Sequence, residues 1–120
     1  MLKPIAKLPH GVVGFTAKGR VTAQDYESIL IPAMESALKT RKKLRCLYHL
    51  GPDFSDFSAG ALWEDATLGL RTRNVWEKIA IISDVGWIRT AVNAFRFALP
   101  GQIRVFSNQQ LADAKAWIAD

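Results

Sequence analysis

Apolar runs of strand length alternate with helical apolar stripes from Leu44 onward, and this alternation constrains the fold more than any other feature. Three of the runs are predicted strands: Leu44–Leu50, Lys78–Ser83 and Gln102–Phe106. A predicted helix follows each of them: Ala59 to about Arg71, a stripe from Trp87 to Phe95, and a segment that begins at Ser107. Strands that alternate with helices in this way require right-handed crossovers and a mostly parallel sheet.

The amino-terminal segment adds a hairpin to this pattern. Leu2–Leu8 and Val12–Val21 are predicted strands, and the short turn Pro9–Gly11 joins them. The predicted order is therefore ββαβαβαβα. It describes an α/β domain with a mostly parallel five-stranded sheet, the hairpin at one edge, and four helices.

The first helix carries its own start signal and its own interruption. Thr22 is a suitable N-cap, and Asp25 three residues later completes a capping box in which Asp replaces the usual Glu or Gln. An apolar stripe then runs from Tyr26 to Leu38. Pro32 lies inside this stripe, so we expect a kink or a local break there.

Length and composition narrow the class of protein. A chain of 120 residues with 49% hydrophobic and 22% charged residues fits one globular domain, residues 1–120, rather than a disordered chain. The apolar run Ile79–Ile82 is far shorter than the ~20 residues of a membrane span. Lys3 and Lys7 stand where a signal peptide would be apolar, so a cytoplasmic location is expected. The single cysteine, Cys46, is predicted to be a buried strand thiol.

The positive charge of the chain is concentrated in one short segment. The formal net charge is +5, and five cations fall within seven residues: Lys39, Arg41, Lys42, Lys43 and Arg45. The simplest interpretation is that these cations stabilise the end of the preceding helix, where the macrodipole is negative. Contact with an anionic membrane or with nucleic acid is the alternative. Nucleic acid is not an expected partner, because no zinc spacing, RNP-like strand or phosphate-binding glycine loop accompanies the charge.

Several segments resemble one family in sequence and in order: Thr22–Tyr26, Trp63–Asp65, Lys78–Asp84 followed by Trp87, and Ile103–Phe106 before Ala114–Ile118. On these segments the chain resembles the SpoIIAA-like family, a branch of the STAS superfamily. The resemblance implies a STAS-like α/β domain that is similar in topology to the CRAL-TRIO lipid carriers. It also implies hydrophobic-ligand binding and membrane association as the leading proposals for activity.

Anti-sigma antagonists of the STAS type are switched by phosphorylation of a serine at the start of the second helix, and the resemblance places Ser58 nearest that position. Ala59 and Gly60 follow it, but the Asp-Ser-Ser-Gly motif of those proteins is absent. Ser58 is also a normal N-cap residue. A phosphate there would be favoured by the helix N-terminus and repelled by Asp53 and Asp56.

Aromatic residues are concentrated in and around the second and third helices: Phe54, Phe57, Trp63, Trp76, Trp87, Phe95 and Phe97. Residues at such helical spacing most often belong to the core. The third helix carries more of them than one core face requires, which is typical of an apolar-ligand site. Four side chains are predicted to line that site: Trp63, Trp87, Ile88 and Phe95. Arg89 and Arg96 are predicted to contact lipid headgroups, and a subunit interface is the alternative.

The acidic and histidine residues give only weak signs of chemistry. Glu64 and Asp65 point about 100° apart on a helix, so they cannot form a catalytic dyad. One of them is expected to pair with Arg71 or Arg73, or to satisfy a backbone group. A further set lies at predicted strand ends without metal-ligand spacing: His49, Asp53 and Asp84. No catalytic residue, metal or cofactor is predicted.

The residues and the resemblance together predict a non-enzymatic domain that binds an apolar or amphipathic small molecule. We expect it to act at a membrane surface as a peripheral protein and to form a homodimer. The alternative is a STAS-type regulatory module that binds a protein partner and is switched at Ser58.

Overall fold

Seven strands and four helical units make up the described part of the chain. The computed structural model describes residues 1–72, 74–96 and 101–120, without the side chains of Leu70 and Phe95. The strands are β1 (Leu2–Pro4), β2 (Val12–Ala17), β3 (Gly19–Val21), β4 (Leu44–Leu50), β5 (Phe54–Phe57), β6 (Trp76–Ser83) and β7 (Gln102–Phe106). The first helical unit joins α1 (Ala23–Asp25), a π-helical segment (Tyr26–Leu30) and α2 (Ile31–Leu38). The others are α3 (Ala59–Arg71), α4 (Gly86–Phe95) and α5 (Leu111–Ala119), and a 3₁₀ turn (Asn108–Gln110) precedes α5.

A five-stranded sheet in the order β1-β2-β4-β6-β7 forms the centre of the fold. β1 pairs antiparallel with β2, whereas β2 with β4, β4 with β6, and β6 with β7 are parallel pairs. The sheet is therefore mixed, with its antiparallel strand at one edge. The predicted α/β class with four helices is confirmed for the described residues.

The predicted order ββαβαβαβα was wrong in omitting two short strands. β3 and β5 pair in parallel as a separate two-stranded sheet. The predicted strand Val12–Val21 was too long, because Gly19 takes a positive φ of 58° and the chain leaves the main sheet after Ala17. The predicted strand Leu2–Leu8 was also too long: it ends at Pro4, and Lys7 has a positive φ of 63°.

The start of the first helical unit is confirmed, and a π-helical segment stands where a kink or break was expected at Pro32. The Thr22 N–H donates to Asp25 Oδ2 at 2.8 Å, and the Asp25 N–H donates to Thr22 Oγ1 at 3.3 Å, which completes the capping box. Pro32 lies in the first turn of α2, directly after the π-helical segment. Because proline has no N–H and its ring crowds the preceding turn, the wider π-helical turn accommodates it within a continuous helix.

Each face of the five-stranded sheet has its own hydrophobic core. Four residues of β4 point to the face that α1 to α4 cover: Leu44, Cys46, Tyr48 and Leu50. We call this side the α3 face. Leu47 points to the opposite side, where it packs with Phe106 against Ala114 and Ile118 of α5, and we call this side the α5 face. Cys46 is buried, as predicted.

Candidate functional site

A chain of polar groups links three elements on the α3 face. The Tyr26 hydroxyl lies 3.2 Å from the Tyr48 hydroxyl and donates to Asp65 Oδ1 at 2.9 Å. Tyr26 comes from the first helical unit, Tyr48 from β4 and Asp65 from α3. Both tyrosines are buried, whereas Asp65 is exposed to solvent. The carboxylate therefore connects the buried hydroxyl pair with the surface.

The environment of these groups shifts their titration. Burial raises the pKa of Tyr26 far above its ordinary value, and the nearby Asp65 carboxylate adds to the rise. Burial also raises the pKa of Tyr48. Crowding by protein atoms raises the pKa of Asp65, and the hydrogen bond from Tyr26 opposes that rise. Since solvent still reaches Asp65, we regard its desolvation as partial. The two tyrosines are therefore neutral hydroxyl groups at physiological pH.

An aromatic series continues from Tyr48 to the surface. The Tyr48 and Phe57 ring centroids lie 6.5 Å apart with an edge-to-face geometry. Phe57 makes a similar contact with Trp87 at 6.2 Å and lies 5.0 Å from the Phe54 ring. These contacts join β4, β5 and the first turn of α4. Trp87 stands at the outer end of the series and is 53% exposed.

The apolar side chains of β6 and β7 on the α3 face are only partly buried. Ile79 and Ile81 of β6 are only partly buried, although β6 is an internal strand. They are in register with Ile103 and Val105 of β7, which are also partly buried. Since side chains in register on parallel strands share a face, these four residues form one apolar surface, which we call the β6–β7 strip. Ile81 is also in register with Tyr48, so the strip borders the polar groups described above.

The structure places the predicted ligand residues in different surroundings. Ile88 is 5% exposed and belongs to the core of the α3 face. Trp63 is 73% exposed on α3, and Leu62 beside it is also largely exposed. The Phe95 side chain lies outside the described part of the structure. Trp87 contacts the aromatic series through Phe57. Their common role in ligand binding stays a prediction.

The predicted membrane residues both lie at α4. Arg89 Nη1 donates to the Ser83 carbonyl at 2.9 Å, so this guanidinium also fixes the start of α4 to the end of β6. Arg96 is exposed at the C-cap of α4. Within residues 1–72, 74–96 and 101–120, no helix has both the length and the apolar character needed to cross a bilayer. Contact of the two arginines with lipid headgroups stays a prediction.

Ser58 is the N-cap of α3. Its Oγ accepts a hydrogen bond from the Ala61 N–H at 3.0 Å, and its own N–H donates to the Val21 carbonyl. Asp56 Oδ2 lies 3.6 Å from Arg20 Nε in an exposed ion pair. The capping role is therefore confirmed, and phosphorylation of Ser58 stays a prediction.

The carboxylates and histidines do not assemble into one centre. Asp65 accepts from a tyrosine rather than from the predicted Arg71, and Arg73 lies outside the described residues. His49 and Asp53 line a cavity of about 440 Å³ on the α5 face. Asp84 is separate, since its Oδ1 accepts from the Asn108 N–H at 3.0 Å.

His49 differs from an ordinary histidine in its titration. Burial lowers its pKa, and the charge of Lys115 lowers it further, so the ring is neutral at physiological pH. No group of His, Cys, Asp and Glu side chains in the described ranges could hold a metal ion.

Sequence reasoning missed the Tyr26–Tyr48 pair and the β6–β7 strip. Two tyrosines in otherwise apolar core patterns were the available signal, because a buried phenol needs a hydrogen-bond partner. The strip gave no signal of its own, since partial exposure of Ile79 and Ile81 depends on how far the helices cover the sheet.

Comparison with known proteins identifies the family. The sequence profile of the SpoIIAA-like family matches residues 12–119. The chain belongs to the SpoIIAA-like family. This SpoIIAA-like chain is also similar to a solved structure, an uncharacterized protein of the DUF3478 family with a SpoIIAA-like fold from Shewanella loihica PV-4. That protein is 26% identical, the match covers 98% of this chain and 92% of that one, and the TM-score is 0.77. No curated protein matches the sequence.

These matches confirm the resemblance that the sequence segments indicated. The SpoIIAA-like fold supports a generic STAS-type module. The features of this SpoIIAA-like domain that bear on binding are the polar groups at Tyr48, the aromatic series and the β6–β7 strip.

Proposed function

We propose that this SpoIIAA-like domain is a non-catalytic binding module that holds an apolar or amphipathic small molecule against the β6–β7 strip. The observation that carries the proposal is the partial exposure of Ile79 and Ile81 in an internal strand. Side chains at such positions are normally covered by the helices that pack on the sheet. A ligand that covers them gains about 25 cal/mol for each Å² of apolar surface removed from water.

The surroundings of the strip suit an amphipathic ligand. Tyr48 borders Ile81 and belongs to the hydrogen-bonded chain that ends at the exposed Asp65. Phe57 and Trp87 extend the apolar surface on the side of α4. An apolar body would therefore lie on the strip, and a hydrogen-bonding group would reach Tyr48.

A bulky side chain placed on the strip tests this proposal. We expect Ile103→Trp to reduce the binding of anilinonaphthalene sulfonate, because the indole fills part of the surface that the probe would cover. Gln102→Trp is the matched control, since Gln102 is the exposed neighbour on the same strand. Equal binding by both variants and the wild type would count against the strip as the site.

Native mass spectrometry of the freshly purified protein gives an independent test. An added mass that disappears on denaturation and reappears as a lipid-like species in a solvent extract would support the proposal. The apo mass alone, with no probe binding to the strip, would favour the regulatory alternative below.

Membrane contact is the second part of the proposal. Trp63 and Trp87 expose large apolar surfaces, and Arg89 and Arg96 lie on the helix that carries Trp87. We expect Trp87→Ala with Arg89→Glu to reduce flotation with anionic vesicles. Lys115→Glu, an equal charge reversal on α5, is the control. Equal flotation of all three proteins would remove this part of the proposal.

The STAS-type regulatory module is the alternative function. The observation that favours it is the surface around Ser58: this residue caps α3, and Leu62 and Trp63 in the first turns of the same helix are exposed. Exposed apolar groups beside a switchable serine suit a protein partner or a second copy of the chain. Phosphate on Ser58 in protein from its native cell, detected by mass spectrometry, would support this function. Light scattering over a range of concentrations would show whether the domain forms the expected homodimer.

A further inference from the structure

A basic cavity lies at the end of the sheet opposite the aromatic series. It encloses about 160 Å³ beside the first residues of β2 and β4. Six of its lining residues carry the argument: His10, Gly11, Arg41, Lys43, Arg45 and Glu77. Since one water occupies about 30 Å³ in the liquid, the space is large enough for a phosphate group.

Arg41 and Lys43 of this cavity make their hydrogen bonds outside the preceding helix. α2 ends at Leu38, and Lys39 is its C-cap. The Lys43 ammonium instead donates to the carbonyl of Asn74, and Arg41 contacts His10. Contacts with the end of α2 therefore do not account for the positions of Arg41 and Lys43.

Arg41 is held in position by the turn that precedes β2. Its Nη1 lies 3.2 Å from His10 Nδ1 and donates to the His10 carbonyl at 3.3 Å. Gly11 has a φ of 88°, and a Cβ at that position would lie 2.6 Å from Arg41 Nε. Glycine at this position leaves room for the guanidinium to pack against the turn. Arg41 Nε and Nη2 donate to no protein acceptor among the described residues.

The carboxylate in the cavity is already neutralised. Glu77 Oε1 lies 2.6 Å from Arg45 Nε, and Arg45 Nη1 donates to the Ile118 carbonyl at 2.8 Å. Three lining cations, Arg41, Lys43 and Arg45, stand against this single carboxylate, which leaves two positive charges. That excess matches the charge of a phosphomonoester dianion.

We propose that the basic cavity binds a phosphate group, presented either by a soluble phosphomonoester or by a phosphomonoester lipid headgroup. Arg41 supplies the remaining guanidinium donors, because charge-assisted hydrogen bonds to phosphate are strong and directional. Lys43 supplies a second charge, and the Arg45–Glu77 pair forms the wall. This site is distinct from the β6–β7 strip and does not depend on the function proposed for it.

Titration calorimetry of the intact chain with inorganic phosphate and with glycerol 3-phosphate tests the site. We expect saturable binding that the double variant Arg41→Gln with Lys43→Gln weakens by about tenfold or more. The matched control is Lys39→Gln with Lys42→Gln, which removes the same charge from the same segment outside the cavity lining. The phosphate affinity of the control should stay within about twofold of that of the wild type, since exposed charges outside the cavity contribute little.

Vesicles that contain phosphatidic acid distinguish the two sources of phosphate. Binding of the soluble probes with the expected variant pattern identifies a soluble phosphomonoester. Binding of the vesicles alone, with the same loss in the cavity variant and not in the control, identifies the headgroup. An equal loss in both double variants, binding to RNA alone, or no binding to any probe would overturn the proposal. Circular dichroism of each variant establishes that the fold is retained.

Discussion

The Tyr26 hydroxyl donates to Asp65 Oδ1 at 2.9 Å and thereby ties the first helical unit to α3. We expect Tyr26→Phe to lower the free energy of unfolding by about 1 kcal/mol, because the Tyr48 hydroxyl and Asp65 lose a shared partner. Asp65→Asn should lower it less, since the amide oxygen still accepts a hydrogen bond. Urea unfolding curves measure both values.

Glu64→Gln is the control for this pair, because Glu64 is the neighbour of Asp65 on α3. Its free energy of unfolding should stay close to that of the wild type. A Tyr26→Phe variant as stable as the wild type would show that the hydroxyl chain does not stabilise the fold.

The capping box predicts that the stability of the fold depends on pH in the acidic range. Burial pushes the pKa of Asp25 upward, but hydrogen bonds from Thr22 together with the amino group of Met1 outweigh it, and the pKa lies below its ordinary value. A lowered folded-state pKa adds stability above the unfolded-state value, and that stability is lost as the pH falls through the folded-state value. We expect Asp25→Asn to cost about 1 kcal/mol near neutral pH and to flatten the loss of stability below about pH 5.

Urea midpoints measured across the acidic range test this dependence. Thr22→Ser keeps the hydroxyl acceptor and should retain the slope of the wild type. If Asp25→Asn left the dependence of the urea midpoint on pH unchanged, other carboxylates would govern the loss of stability in acid.

The thiol of Cys46 should be inert in the native protein. Burial raises its pKa to about 12, and the Asp65 charge acts in the same direction. Because the thiolate is the reactive species, a disulfide-exchange reagent at mildly alkaline pH should modify the unfolded chain rapidly and the native chain only as fast as it opens. A native rate equal to that of a free thiol would contradict the burial of Cys46.

Substitution of two glycines tests whether a loss of phosphate binding comes from backbone strain or from displacement of Arg41. Gly11 and Gly19 both have positive φ, and a Cβ at Gly19 would meet no atom within 4 Å. We expect Gly11→Ala and Gly19→Ala each to lower stability by about 1 kcal/mol, because alanine is strained at positive φ. Only Gly11→Ala should weaken phosphate binding, since its methyl group displaces Arg41. Equal phosphate binding by the two variants would show that Arg41 does not contribute to the site.

The sequence was most informative where a glycine bounds an apolar run. Leu44–Leu50 and Gln102–Phe106 were predicted to the residue, because an apolar run and a following or preceding glycine mark their ends. β5 was missed because Ser55 and Asp56 are exposed and the strand is only four residues long. Short strands with polar centres lack the alternation that identifies longer ones.

The candidate site depended on pairings that one sequence does not contain. Tyr26 and Asp65 are separated by 39 positions and meet only because their helices pack on the same face. The register of Tyr48 with Ile81, which joins polar groups to the strip, is equally invisible in local patterns. Helical spacing placed Trp63 and Ile88 in one ligand site, whereas one is exposed and the other buried.

The order of strands in the main sheet has a consequence for synthesis of the chain. In the main sheet β4 pairs with β2, β6 with β4, and β7 with β6. Each of these strands therefore lies beside the main-sheet strand that precedes it in the chain. A strand that leaves the ribosome therefore meets a partner already present, and no pairing waits for a distant segment. The α5 face is the exception. Leu47 and Ile82 pack against α5, which follows every strand of the sheet in the chain, so the nascent domain exposes this face until α5 emerges.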